Sequence, residues 1–413
     1  MPMKVYKVGG AVRDELLGLP VTERDWVIVG GTPQELLQQG YTQVGRDFPV
    51  FLHPRTREEY ALARKERKSA PGYYGFSCDF SPDVSLKEDL LRRDLTINAM
   101  AFDENGQLID PYNGHADLQA RVLRHVSVAF SEDPVRVLRV ARFAARFHHL
   151  GFTLADETRL LMYKMVKAGE LSWLVAERVW QEWHRSLQEK NPEVFIEVLR
   201  SCGALKVVFP EIDCLFGVPN PRHYHLEVDS GIHSLLVLKA AVTLSPEPMI
   251  RFAALIHDLG KALTPMNDWP KHHQHEDTGV APIEALCKRL RIPADFRRFA
   301  VMASRLHLNI HRLFELRPQT VVKILERADA FRRPELFKKL LLVCQADAMG
   351  CGREISYAQA AGWQYILEEC QKVSAQHIIA QGITGEAIKG ALHQHRAACV
   401  DLIFNAWKKH EKQ

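Results

Sequence analysis

Residues 8–30 read VGGAVRDELLGLPVTERDWVIVG, and this stretch decides the fold of the front of the chain. Gly9-Gly10 predicts a tight turn into a short helix, and Gly18-Leu19-Pro20 predicts a second turn into the strand RDWVIVG. Glu23 and Asp25 are two residues apart on a strand, so their side chains project to one face. Paired carboxylate oxygens of that kind suit hard divalent cations such as Mg2+. Adjacent glycines let backbone N–H groups approach a polyphosphate closely. A phosphate cradle beside a metal pair points to phosphoryl chemistry on a nucleotide. In a two-ion scheme one ion serves the attacking hydroxyl, the other the triphosphate and the leaving pyrophosphate. Glu59, on EEYALAR, is a third candidate if its strand lies beside that of Asp25. Gly10 and Arg13 are placed on phosphate, with Asp14 as a brace for Arg13.

The 413 residues exceed one ordinary core and predict roughly two to four domains. Apolar residues make up 46% and charged residues 25%, a soluble globular composition. No apolar run approaches the roughly 18 residues of a membrane helix, so no membrane role is expected. MPMKVYKV has no signal-peptide core, and the scattered cysteines form no C-x-x-C, which together predict reduced thiols and a cytoplasmic protein. A net charge of +4 does not by itself demonstrate nucleic-acid binding. Local basic runs matter more: Arg64-Lys65-x-Arg67-Lys68, Arg92-Arg93 and the stretch 297–317.

Along the chain, residues 1–128 alternate short strands (4–8, 25–29, 50–53, 59–63) with helices, and Thr32-Pro33-Gln34-Glu35 reads as a capping box. From about Asp133 the periodicity turns helical, over 133–149, 156–168 and 177–188. Pro210 and Gly217-Val218-Pro219-Asn220-Pro221 are the clearest candidate linker.

Six motifs occur in order: GGAVRDELLG…ERD, EEYALAR, RRDLTINAMAFD, DPYNG, EDPVRVLRVARFAARF and AERVW. Together, over roughly residues 4–190, they resemble the class II nucleotidyltransferases, the bacterial family of CCA-adding enzymes and poly(A) polymerases. The later HDLGK resembles the HD domain fused to CCA-adding enzymes in some bacteria. One departure is Glu23, where the family usually has aspartate; glutamate remains a hard oxygen ligand with a longer reach. The resemblance implies an α+β nucleotidyltransferase head, a mixed β-sheet with flanking helices, over 1–128. An all-α neck over 129–215, an HD phosphohydrolase domain over 228–350 and a helical tail over 351–413 would follow.

Within RRDLTIN the resemblance puts Arg93 on the nucleotide, and Asp94 and Asn98 on the sugar hydroxyls. EDPVR resembles the family's base-selecting motif. Cytosine and adenine share an edge, an exocyclic amino donor beside a ring-nitrogen acceptor. Asp133 can accept from the amino group while Arg136 donates to the ring nitrogen. Uracil and guanine present a carbonyl beside an N–H and would clash with that pair. Asp133 and Arg136, three residues apart at a helix start, share a face. Arg136, Arg139, Arg142 and Arg146 fall within about 120° of arc, a basic stripe suited to triphosphate and RNA ends.

His233, His257-Asp258 and Asp347, in this order, resemble the HD constellation, and imidazole with carboxylate suits a transition metal such as Ni2+, Mn2+ or Co2+, or Mg2+. His272, His273, His275 and His307 are further candidate ligands or acid–base groups. The expected activity is addition and repair of the 3′-terminal CCA of tRNA from CTP and ATP without a nucleic-acid template. The HD domain would add a phosphatase or 2′,3′-cyclic phosphodiesterase. The partners are the tRNA acceptor arm, CTP and ATP, and the chain is expected as a monomer or homodimer. The rivals are a poly(A) polymerase of the same family, using ATP alone, and an HD phosphohydrolase whose front half binds RNA.

Overall fold

A computed structural model describes residues 3–44, 50–68, 76–221, 229–351, 356–380 and 382–410. The expected domain limits at residues 1, 228 and 413, and the side chains of Arg67, Lys68 and Cys78, lie outside the described residues. The chain divides into two compact units, Met1–Val208 and Phe209–Gln413.

The first unit begins with a mixed sheet. Its strands are β1 (Lys4–Val8), β2 (Asp25–Val29), β3 (Thr42–Val44), β4 (Val50–Leu52) and β5 (Glu59–Leu62). β6 (Lys65–Lys68) and β7 (Phe76–Asp79) form a separate antiparallel pair, and β8 (Ala101–Phe102) and β9 (Leu108–Ile109) complete the sheet. The order is β3-β4-β5-β2-β1-β8-β9, and β2 with β5 is its parallel pairing. Val27 and Ile28 alternate across β2, and each feeds a different core. Val27 packs with Val8, Leu86, Leu90 and Ala101, and Ile28 with Leu36, Phe51 and Leu62. Each such buried side chain contributes about 1.5–3 kcal/mol. The register sets Val8 opposite Asp25 and Asp25 opposite Glu59, so the Gly9 turn and these carboxylates meet at one end of the sheet. The Thr32–Glu35 capping box forms as expected. A second one forms at Ser85 and Glu88, at the start of helix Leu86–Leu91.

The helical half of this unit centres on Val135–Phe147, which packs on Ala176–Ser186 and Pro192–Ser201. Val137, Val140 and Ala144 are buried, as the arginine stripe requires of the opposite face.

The second unit is helical. Ser230–Leu244, Pro248–Ile256, Ala294–His311 and Pro334–Gly350 pack against one another around Leu238, Phe252, Ile256, Phe299 and Leu340. Gly350 lets two of these helices close, because a Cβ there would lie 2.5 Å from a Val237 methyl. The expected linker at 217–221 is instead built into this unit. Asn220 is 1% exposed, and its Oδ1 accepts from Ser230 Oγ and Lys261 Nζ. The run reads as a linker from its glycine and prolines, but a buried polar side chain with two donors is a packed corner.

Candidate active sites

A cavity of about 980 Å3 opens in the first unit. Glycine is required at its floor. Gly9 has φ of +71°, and a Cβ there would lie 2.8 Å from Arg93 Nη1. Gly10, Arg13, Glu23, Asp25, Arg93, Asp133, Arg136, Arg139 and Arg142 all line this cavity, with Asp94, Asn98 and Arg146. Gly10 and Arg146, 136 positions apart in sequence, are thereby brought together. Glu23 lies just before β2 rather than on the strand. Glu59 is the exposed register partner of Asp25 and does not line the cavity.

Several of these side chains are already engaged. Buried Arg13 donates to Asp14 and Asn98 and stacks near the Phe143 and Phe147 rings, so it braces the floor as well as facing it. Asp94 Oδ1 accepts from Asn98 Nδ2 at 3.0 Å, and its Oδ2 from Arg139 Nε at 2.7 Å. Burial pushes against the Asp94 carboxylate, but Arg139 outweighs it and holds the acid well below its usual range. Burial raises Asp25, Arg93 opposes this, and the charge of Glu23 raises it further. Two carboxylates that disfavour each other's charge in one cavity fit a divalent cation between them. Ten arginines and six carboxylates line the space, an excess suited to a polyphosphate.

Two participants escape a reading of the sequence alone. Arg178 forks onto both oxygens of Asp133, and buried Glu182 accepts from Arg142 Nε at 2.6 Å. They sit four residues apart on helix Ala176–Ser186, the spacing that puts them on one helix face. AERVW contains Arg178, yet only the fold aims it at Asp133. Arg136 Nη1 donates to the Ala129 carbonyl, which anchors the guanidinium beside the cavity.

The second unit holds a buried cluster. Asp258 Oδ1 lies 3.2 Å from His275 Nε2 and 3.5 Å from His307 Nε2, and Oδ2 lies 3.3 Å from His257 Nε2. Asp347 Oδ1 lies 2.9 Å from His233 Nε2 and 3.5 Å from His257 Nε2. His257, His275 and His307 each direct Nδ1 at the carbonyl three residues back, at 2.8, 2.7 and 2.7 Å. With Nδ1 as the donor, each Nε2 of a neutral ring carries a lone pair pointing inward. His257 Nε2 and Asp258 Oδ1 are buried without a hydrogen-bond partner, and two Nε2 atoms face each other at 3.2 Å. Such a set repels itself unless a cation or proton lies within it. Its donors fit a divalent transition ion. Burial opposes charge on His257, but Asp258 and Asp347 outweigh it and lift the ring to about 10, whereas burial pushes His307 down to about 3.

Gly260 lets the His257-Asp258 turn reach His275, since a Cβ there would lie 2.0 Å from the His275 carbonyl oxygen. Among the expected extra histidines, His275 and His307 join the cluster. His272 does not, because Thr264 and the Pro219 carbonyl occupy both of its ring nitrogens, and His273 is exposed.

Family models match three segments: "Poly A polymerase head domain" over 5–124, "Probable RNA and SrmB- binding site of polymerase A" over 151–215, and "HD domain" over 231–333. The chain is 68% identical over 410 residues to the Multifunctional CCA protein of Legionella pneumophila (strain Paris), covering 99% of this chain and 100% of the relative. The chain belongs to the multifunctional CCA protein family. A solved CCA-adding enzyme in complex with CTP matches with a TM-score of 0.63 at 21% identity, over 96% of this chain and 87% of that one. The Thermotoga maritima CCA-adding enzyme complexed with tRNA matches with a TM-score of 0.60 at 20% identity, over 96% and 86%. At these identities the structures show the shared fold. The multifunctional CCA family thus accounts for both the nucleotidyltransferase head and the HD domain, as the sequence motifs imply.

Proposed function

We propose that the chain adds and repairs the 3′-terminal CCA of tRNA from CTP and ATP, with release of pyrophosphate. The carrying observation is that Glu23 and Asp25 open onto the same arginine-rich cavity as Asp133 and Arg136. A metal pair and a base-reading pair therefore serve one nucleotide.

In this reading Asp133 accepts from the exocyclic amine shared by cytosine and adenine, and Arg136 donates to the neighbouring ring nitrogen. Arg178 fixes the Asp133 carboxylate, and the Ala129 carbonyl fixes Arg136. Arg139, Arg142 and Arg146 neutralise the triphosphate and the incoming RNA end. Asp94 and Asn98 hold the sugar. Divalent ions held by Glu23 and Asp25, Mg2+ in this reading, supply activation of the 3′-hydroxyl and charge relief at the leaving pyrophosphate.

His233, His257, Asp258, His275, His307 and Asp347 hold a transition ion such as Ni2+, which supplies Lewis acidity for hydrolysis of phosphomonoesters or 2′,3′-cyclic phosphates. His257 and Lys261, the latter 2.7 Å from Asp258 Oδ2, outweigh burial and hold that carboxylate well below its usual range. We assign the head to 1–128, the neck to 129–215, the HD domain to 228–350 and the tail to 351–413. No helix among the described residues is long and apolar enough to cross a membrane. We place the activity in the cytoplasm, carried out by a monomer or homodimer.

Supplying CTP and ATP separately to tRNA lacking its terminal CCA tests the reading. Incorporation of C, C and then A is expected. Long tails made from ATP alone would instead establish a poly(A) polymerase.

A further inference from the structure

The HD cluster has an outer partner that the nucleotide and metal chemistry above does not use. Asp347 offers Oδ1 to the cluster, 2.9 Å from His233 Nε2. Its other oxygen, Oδ2, lies 2.8 Å from His311 Nε2, and His311 Nδ1 lies 2.9 Å from the Tyr357 hydroxyl. Donors and acceptors assign themselves along this chain. A carboxylate oxygen only accepts, so His311 carries its proton on Nε2. In the neutral ring Nδ1 is then a lone pair, and the Tyr357 hydroxyl donates to it. Burial pushes the Tyr357 phenol up, which keeps that proton in place.

Tyr357 belongs to a different part of the chain from the cluster. It precedes helix Ala358–Gln371, the first helix of the expected tail. That helix start is fastened to the end of helix Ala294–His311 by two more bonds, Gln359 Nε2 to the His311 carbonyl at 3.2 Å and Trp363 Nε1 to the Ile310 carbonyl at 3.0 Å. Trp363 is fully buried. These contacts fix both the backbone and the ring of His311, and the ring in turn fixes the rotation of the Asp347 carboxylate.

We propose that His311 and Tyr357 are positioning residues of the HD metal site, and that the segment after residue 355 is a working part of that site. The inference rests on the metal-site reading given above. A carboxylate gripped on one oxygen presents the other to an ion in a single orientation, and loss of such outer partners weakens metal affinity by about 10- to 100-fold.

Co2+ titration of the full chain, read by the visible absorption of imidazole-ligated Co2+, tests this without any turnover measurement. Tyr357→Phe is nearly isosteric and removes only the donated proton; it should weaken Co2+ affinity about tenfold. His311→Ala should weaken it at least as much. His311→Gln, whose amide N–H can still reach Oδ2, should recover part of the loss. Thermal melts of each variant separate lost affinity from lost fold. Co2+ affinities equal to wild type in both Tyr357→Phe and His311→Ala overturn the inference. Absence of an imidazole-type Co2+ spectrum in the wild-type chain overturns the metal-site reading itself, and this inference with it.

Discussion

Arg178 grips both oxygens of Asp133, with Nη1 on Oδ1 at 3.1 Å and Nη2 on Oδ2 at 2.7 Å. A planar fork on a planar carboxylate fixes rotation as well as distance. In the base-reading role proposed above, the edge that Asp133 shows to a nucleobase is set from helix Ala176–Ser186. Arg178→Lys keeps the charge but loses the fork. It should lower kcat/KM for CTP and ATP by about 10- to 100-fold, since a hydrogen bond to a charged group contributes about 1.5–3 kcal/mol. Steady-state kinetics with each nucleotide check this; wild-type values in the variant would remove Arg178 from the templating pair.

Arg136→Ala should relax the choice among nucleotides more than it weakens triphosphate binding, because Arg139, Arg142 and Arg146 remain to hold the phosphates. Competition between CTP or ATP and UTP or GTP on one primer reads the effect. An unchanged preference would count against a base-reading role for Arg136.

His257→Ala should abolish metal-dependent phosphohydrolysis and spare CCA addition, because the two clusters belong to different compact units. Both activities are assayed on one preparation. A parallel fall in both would show that the sites are not independent.

Gly260→Ala should damage the second unit. Its Cβ would lie 2.0 Å from the His275 carbonyl oxygen, which is backbone and cannot swing away. Overpacking of this kind costs about 1–3 kcal/mol. Loss of Co2+ affinity together with a lowered melting transition is the expected pair of readings; an unperturbed melt would show that the turn relaxes freely.

Acid should loosen the first unit through its carboxylates. Bonds from Ser85 and Lys65 hold Glu88 down at about 2, and Arg92 and Arg139 outweigh burial at Asp89 and Asp94 to hold both below the usual range. These folded values lie beneath the unfolded ones, near 4. Their stabilisation is thus complete above about pH 4 and fades as pH falls toward 2. Urea melts across that range should show the decline, and Asp94→Asn should flatten it.

Much of this was legible in the sequence, and for a local reason. Glu23 with Asp25, Asp133 with Arg136, and His257 with Asp258 are each within three positions, so the sequence pairs them, although Glu23 lies before β2 and Asp133 before helix Val135–Phe147. The capping box at Thr32 and the arginine stripe of Val135–Phe147 are likewise properties of consecutive residues. What spacing could not show is pairing across long separations. Arg178 meets Asp133 across 45 positions and Glu182 meets Arg142 across 40. His311 meets Asp347 across 36 and Tyr357 across 46. The corner at 217–221 was misleading because Asn220 looks like a loop residue until its two buried donors are seen.

The backbone carbonyls of Ala254, His272 and Ser304 hold three imidazoles by their Nδ1 atoms. A ring tethered at one nitrogen cannot turn the other away, so the entropy of gathering the ligands is lost when the bundle folds, before any ion arrives. Ion affinity and bundle stability then become two readings of one equilibrium. Chelation should lower the melting temperature of the second unit, and by mass action each tenfold rise in free ion above its Kd should return about 1.4 kcal/mol.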